Sequence, residues 1–423
     1  MRRLHRGLPR WLRLLLGAAL ALAAIAAFAA VLAWVVLVDD SETVDTRPAN
    51  AFYEAPTPLP KGPAGKLVRT QRASVPASMK APLGATATKV LYLSSDWRTN
   101  SPNVVSGVVY APPGRAPRGG RPIIAWAHGT SGVASGCAPS LVAAPAPATQ
   151  PGFGSFLRRG WVVVATDYPG LGTRGPHPYL NGISEGRAVL DSVRAARQVD
   201  GVNASRRVVV WGHSQGGQSA LFAGQLANSY SPDLNLLGVA AAAPAVELSE
   251  LLELDAGEVP GAVLGSFALW SWSHTIPQAS LSAVVDPSSQ DLIDSVASRC
   301  IVGNRNLLED LPAAEVEEAR NSIKPARVLS DSVWARAFAA NRPTAAGSGP
   351  PLLIAQGTAD TIIRPQTTAA FERRLCAAGR TVESVQLRGV EHPLAGLVAA
   401  PKVEAWAASL FAGRPSPGNC PNH

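Results

Sequence analysis

The sequence predicts an α/β protein, a doubly wound and mostly parallel sheet with an inserted helical cap. Three observations predict it. Short β-branched runs fit strands covered on both faces, helix-like stretches alternate with them, and one interval, 245–349, carries helix-like patches but no buried strand. The chain is organised around residues 208–220, VVVWGHSQGGQSA, where an apolar run stops at Gly212 and a helix-like segment opens at Gly216 and Gly217. The turn between them fits G-x-S-x-G as Gly212-His213-Ser214-Gln215-Gly216. A serine on so sharp a corner holds a strained backbone, and its neighbours must lack bulk where strand and helix nearly touch. The corner pushes Ser214 Oγ out of the sheet and sets backbone N–H groups beside any oxyanion formed there.

Taken in order, the chain begins with a membrane signal over 1–38. Residues 14–38 are continuously apolar or small, enough to cross a hydrocarbon layer of about 30 Å, and Asp39 and Asp40 end the run. Arg2, Arg3, Arg6, Arg10 and Arg13 precede it, with Trp11 and Trp34 near its ends, which orients a signal anchor with the bulk of the chain outside. The competing expectation is a cleaved signal peptide, since Ala27-Phe28-Ala29 resembles a cleavage site; the apolar run continues past it, which favours the anchor. The protein is expected to be exported, either membrane-anchored with an extracytoplasmic domain or, if cleaved, secreted. Those five arginines supply most of the formal charge of +8, and no later basic cluster tracks phosphates, so nucleic acid is not an expected partner. With 423 residues and 47% hydrophobic content, the composition excludes a disordered or fibrous chain.

Residues 39–66 read as a proline-rich linker (Pro48, Pro56, Pro58, Pro60, Pro63) that spaces the domain from the membrane and then wraps its surface. Residues 89–94 and 104–110 read as antiparallel strands around an Asn100-Ser101-Pro102-Asn103 turn. Buried-type strands follow at 122–127, 161–166, 208–211, 236–242 and 352–355, with helices at 182–198, 218–228, 366–378 and 402–411. The core thus comprises 67–244 and 350–412, the cap 245–349 and a tail 413–423. Within the cap the run 263–272, VLGSFALWSW, is read as packing against the main sheet rather than lining a pocket. Cys137, Cys300, Cys376 and Cys420 lie far apart with no C-x-x-C pair, which in an oxidising compartment predicts two disulfides. Four cysteines allow three pairings, which spacing leaves open; each bridge would contribute on the order of 3 to 5 kcal/mol.

A serine hydroxyl is a poor nucleophile until a histidine takes its proton, and that histidine is best held by a carboxylate. His392 follows a strand-like segment, 382–387, in a loop before the final helix. Asp360 follows the strand 352–355 and the turn Gly357-Thr358-Ala359. The order Ser214, Asp360, His392 is that of α/β-hydrolases. Glu391 is the nearest competitor for the carboxylate, though an adjacent residue on the same loop usually points elsewhere. The oxyanion donors are expected to be the backbone N–H of Gln215 and that of Thr130 in Trp126-Ala127-His128-Gly129-Thr130, with Gly129 as the near alternative. His128 is expected to brace that turn, and His213 to pack within the elbow.

These residues resemble the secretory lipase family, lipase A type. The resemblance is carried by the elbow GHSQGG (212–217), the WAHGT turn (126–130), TDYPGLG (166–172) with HPY (177–179), and QGTAD (356–360); the segment FYEAPTPLPKGPAGKLVRT (52–70) is also similar. It spans roughly 52–410. It implies an α/β-hydrolase core, a helical cap, hydrolysis of carboxylic esters with acyl lipids as substrate, and the disulfide pairs Cys137–Cys300 and Cys376–Cys420. The apolar N-terminal helix departs from the family, whose members are usually released. The expected chemistry is a Ser-His-Asp acyl transfer to water with no metal or organic cofactor, in a monomer whose partners are an acyl-ester or lipid substrate and, through its N-terminal helix, the membrane. Two rival readings are a serine acyltransferase or peptidase on the same triad, and a non-catalytic hydrolase-fold envelope protein that binds through its cap.

Overall fold

The computed structural model describes residues 44–420 except 144, 302–312 and 348. The expected anchor over 1–38 and the end of the tail lie outside the described residues, as does part of the cap. Nine strands form one sheet among the described residues: β1 (Leu67–Ala73), β2 (Thr86–Ser95), β3 (Pro102–Ala111), β4 (Arg121–Ala127), β5 (Val162–Thr166), β6 (Ala204–His213), β7 (Asn235–Ala242), β8 (Leu352–Gly357) and β9 (Val382–Leu387). Their order is β1-β2-β3-β5-β4-β6-β7-β8-β9. The first three strands and β5 pair antiparallel, and β5, β4, β6, β7, β8 and β9 run parallel. Strand β1 carries no apolar alternation, since Arg69, Thr70, Gln71 and Arg72 fill its centre, and its hydrogen bonds to β2 rather than any buried face make it a strand. The polar turn before β3 sits at 96–101, because Pro102 and Asn103 already pair with Ser95 and Ser94.

The pleat sends alternate residues of β6 into two separate cores. Val209 and Trp211 meet α1 (Phe153–Arg158), the final helix and the cap. Val208 and Val210 meet α2 (Gly182–Ala196) and α3 (Gln215–Tyr230) on the other face. This two-sided burial is why the parallel strands read as unbroken apolar runs. The cap comprises α4 (Leu248–Asp255), α5 (Val259–Thr275), α6 (Leu281–Val284), α7 (Gln290–Ala297), α8 (Ala313–Ser322), α9 (Pro325–Ser330) and α10 (Ser332–Ala340). Helix α5 is apolar on most of its faces and is buried continuously from Ser266 to Trp272. Trp272 packs against Trp334 and Phe338 and donates its indole N–H to the Tyr179 carbonyl at 2.7 Å. The chain then returns through β8, α11 (Pro365–Ala377), β9 and α12 (Ala395–Phe411). The helical run His392–Phe411, which ends in α12, is long and apolar enough to span a membrane by length and composition, but about half of it is buried and α12 packs on β6, β7 and β8.

Residues 44–66 run along the surface: Ala49 N–H donates to Gly172 (2.9 Å), Gly175 N–H to Thr46 (2.9 Å), and Tyr53 is fully buried. The disulfides are Cys137–Cys300 and Cys376–Cys420. The first ties the loop after β4 to the cap, and the second ties α11 to the tail.

Candidate active site

The C-terminal ends of β4, β6 and β8 open on the same edge of the sheet, the edge where ligands of open α/β sheets bind. There β6 ends at His213 and α3 begins at Gln215, leaving Ser214 with φ 58° and ψ −120°, a conformation rare for a residue with a side chain. The close approach that sustains it is measurable. A Cβ on Gly212 would lie 2.0 Å from the Gly216 carbonyl oxygen, and one on Gly216 would lie 1.9 Å from that of Ala127. Only glycine fits at either position.

Three side chains meet here from elements far apart in sequence. His392 Nε2 lies 2.9 Å from Ser214 Oγ, and its Nδ1 lies 2.8 Å from Asp360 Oδ2. All three residues are buried. Asp360 follows β8, where Ile362 and Ile363 donate their N–H groups to its Oδ1 at 2.9 and 2.8 Å, and Gln356 Nε2 donates to Oδ2 at 3.2 Å. Burial pushes this carboxyl up, but the His392 hydrogen bond and charge and the two amides outweigh it and hold it below its ordinary value. With the carboxylate accepting at Nδ1, the imidazole proton sits on Nδ1 and Nε2 is free to accept from Ser214. Glu391 is exposed and takes no part.

His213, beside the serine, lies with its Nε2 3.0 Å from the His392 carbonyl, so the elbow and the histidine loop are joined directly. Burial holds it neutral, down at about 3. A Cβ on Gly129 would be 3.4 Å from His213 Nδ1 and 3.7 Å from Ser214 Cβ, so the Gly129-Thr130 turn abuts the elbow at both residues. His128 Nδ1 is 2.6 Å from the Gly129 carbonyl, and Thr130 Oγ1 is 2.8 Å from the Tyr179 hydroxyl. Gln215 is the first residue of α3, where N–H groups have no intrahelical acceptor.

A cavity of about 540 Å³ opens beside Ser214 and His392. Its wall is mainly apolar, with Tyr110, Trp126 and Phe153 from the core, Val142 from the loop after β4, and Val263 and Leu264 from α5. The run 263–272 packs mainly on the neighbouring cap helices rather than on the main sheet, and its first two residues line the cavity, which corrects the expectation on both points. The loop after β4 is held by Asp167, which accepts from Ser106 Oγ (2.6 Å), Ser140 N–H (2.9 Å) and Ser140 Oγ (2.5 Å). Asp167, Glu185, His177 and Gln356 belong to this site and carry no individual role in the sequence reading above. Asp167 has a signal, its place directly after a β-branched strand; a buried acid on a helix, such as Glu185, has none. Among the described residues no group of three or more His, Cys, Asp or Glu side chains could hold a metal ion.

The parallel sheet, the strained serine corner and the residues assembled at its strand ends define an α/β-hydrolase. The sequence profile of the secretory lipase family matches residues 153–419, and the chain belongs to that family. It is 23% identical to lipase A of Moesziomyces aphidis over 86% of this chain and 81% of that protein. It is 24% identical to a probable inactive lipase of Mycobacterium tuberculosis over 86% of this chain and 82% of that one. The X-ray structure of Candida antarctica lipase A matches the fold with a TM-score of 0.70 at 18% identity, covering 86% of each chain.

Proposed function

We propose that this protein is a serine carboxylic-ester hydrolase acting on acyl lipids through an acyl-enzyme on Ser214. The observation that carries the reading is the unbroken hydrogen-bond line from Ser214 Oγ to His392 (2.9 Å) to Asp360 (2.8 Å) at the wall of an apolar cavity. Ser214 Oγ attacks the ester carbonyl as His392 Nε2 takes its proton, and Asp360 stabilises the imidazolium. The Gln215 and Thr130 N–H groups stabilise the oxyanion, and its collapse expels the alcohol, which receives the proton from His392. Water, deprotonated by His392, then attacks the acyl carbon and Ser214 leaves with the proton. The acyl chain lodges in the cavity, whose volume of about 540 Å³ falls within the usual range for small-molecule sites.

One observation favours a second reading: the mycobacterial relative carries the name of a probable inactive lipase. Hydrolysis of esters graded from acetyl to long acyl, measured beside Ser214→Ala and with fluorophosphonate labelling of both, separates the two. The hydrolase reading expects labelling of the wild type alone and a kcat lower by at least about 10⁴-fold in the variant. Equal labelling, or equal turnover, favours the binding protein. Adding alcohol acceptors tests for acyl transfer in place of hydrolysis.

We place the enzyme outside the cell, consistent with its family and its two disulfides, and tethered by residues 14–38. Fractionation of cells expressing the full chain or a chain starting at residue 39 checks the tether; recovery of both in the soluble fraction rejects it.

A further inference from the structure

Behind the elbow, on the side away from the cavity, lies a buried polar cluster that the reaction does not use directly. Glu185, from the first turn of α2, is fully buried. Its Oε1 accepts from Leu180 N–H at 2.8 Å and from Gln215 Nε2 at 2.7 Å. The same Gln215 nitrogen lies 3.1 Å from His177 Nε2. His177 Nδ1 is 2.8 Å from the Pro169 carbonyl, which can only accept, so Nδ1 carries the ring proton and Nε2 accepts the second Gln215 hydrogen. Both amide hydrogens of Gln215 are thereby used. Ser219, one turn on in α3, contacts Glu185 Oε2 and lies 2.9 Å from the Gln215 carbonyl.

We propose that Glu185 and His177 are positioning residues that grip the Gln215 side chain and so aim its backbone N–H at the oxyanion. The inference rests on the serine-hydrolase reading of Ser214. Gln215 is where aim matters most. It follows a residue held at φ 58° and opens the helix, so its N–H has no intrahelical bond to fix it. An oxyanion donor is effective only if its direction is set before the charge develops. A cluster serving merely to join α2 to α3 could end on any residue of the facing helix; this one closes on Gln215 from both sides, through its amide nitrogen and, by way of Ser219, its carbonyl.

The protons balance with the acid neutral. Glu185 Oε2–H donates to Ser219 Oγ, and Ser219 O–H donates to the Gln215 carbonyl. Burial raises this carboxyl to about 8, although donation from Ser219, Gln215 and Leu180 would favour its ionised form. The titratable groups facing it are His177, which burial keeps neutral, and the Tyr168 and Tyr179 phenols, which burial also keeps neutral. No cation among the described residues pairs with it. Ionised Glu185 would set an unbalanced negative charge behind the donor that must stabilise a second one, so turnover falls as it ionises.

The test is kcat and KM against pH for a short-chain p-nitrophenyl ester, with the wild type, Glu185→Ala, Glu185→Gln and Ser214→Ala. Glu185→Ala is expected to lower kcat at neutral pH by at least about 30-fold, toward the loss of one oxyanion donor, with KM within about threefold. Glu185→Gln, whose amide can still accept from Gln215 and donate to Ser219, is expected to restore neutral kcat to within about threefold and to lose the wild type's alkaline decline near pH 8. A folded Glu185→Ala with kcat within about threefold of wild type overturns the inference, as does a Glu185→Gln that keeps the alkaline decline. If Glu185→Ala does not fold, Gln215→Met, which keeps bulk and removes both donors, must show the same loss of kcat at constant KM; unchanged kcat there also overturns it. A wild type with no Ser214-dependent turnover refutes the parent reading instead.

Discussion

Replacing Asp360 by asparagine changes one atom and should cost most of the activity, for a reason visible in the donors around it. The carboxylate accepts from Ile362 and Ile363 at one oxygen and from His392 and Gln356 at the other. An asparagine must place its NH₂ on one side or the other. Facing the isoleucines, it opposes two fixed backbone donors at 2.9 and 2.8 Å. Facing His392, it opposes only Gln356 Nε2 at 3.2 Å, because the histidine can change tautomer. Gln356 cannot turn to help, since its carbonyl accepts from Thr368 Oγ1 at 2.7 Å and its nitrogen donates to Ile363 at 2.9 Å. The second arrangement wins, and it forces His392 to accept at Nδ1 and to carry its proton on Nε2, against Ser214. A base that already holds a proton cannot take one. The same change in serine proteases lowers kcat by about 10⁴, or about 5.4 kcal/mol of barrier, and that size of loss with little change in KM is expected here. The assay is steady-state hydrolysis of a p-nitrophenyl ester, with active-site titration and a thermal melt to establish that the variant is folded. A folded Asp360→Asn that retains more than about a tenth of wild-type kcat would refute the reasoning. The acid side offers a second check. The folded carboxyl lies below its ordinary 3.8, so its contribution to stability is full above that value and is lost as pH falls through the lowered one; the variant's melting temperature should lack that decline.

Three further outcomes follow from the geometry. Gly216→Ala puts a methyl 1.9 Å from the Ala127 carbonyl, so a loss of about 3 kcal/mol or more is expected in urea unfolding; a change under about 1 kcal/mol would contradict the close approach. Ala148→Trp, filling a wall of the cavity, should reduce kcat/KM for long-acyl esters at least about tenfold more than for acetyl esters, and equal effects would place the acyl chain elsewhere. Replacing Cys376 and Cys420 by serine opens a loop with a sequence separation of 44 and should cost about 4 kcal/mol in the chain-entropy account, read from urea unfolding with the slope fitted separately for each protein.

Much of the fold was legible because its signals are local. The β-branched runs at 122–127 and 208–211 are buried on both faces, so their apolarity is unbroken and needs no knowledge of neighbours. Strand β1 was not legible, since Arg69 to Arg72 carry no apolar face and only pairing with β2 makes them a strand. The pairing of the cysteines was open from spacing and followed only the family resemblance, because loop closure over a separation of 163 depends on how the cap docks.

By itself the sequence determined the serine corner and the order of Ser214, Asp360 and His392, because a strained turn demands glycines at fixed offsets and a doubly wound chain delivers its loops to one edge of the sheet. Only the tertiary structure decided the distances among those three side chains, the cavity walled jointly by the loop after β4 and by α5, and the grip of Glu185 and His177 on Gln215. Those contacts join residues tens to hundreds of positions apart. They are set by the packing of helices on a twisted sheet and by which buried polar atoms find partners there, and no local pattern in the chain encodes either.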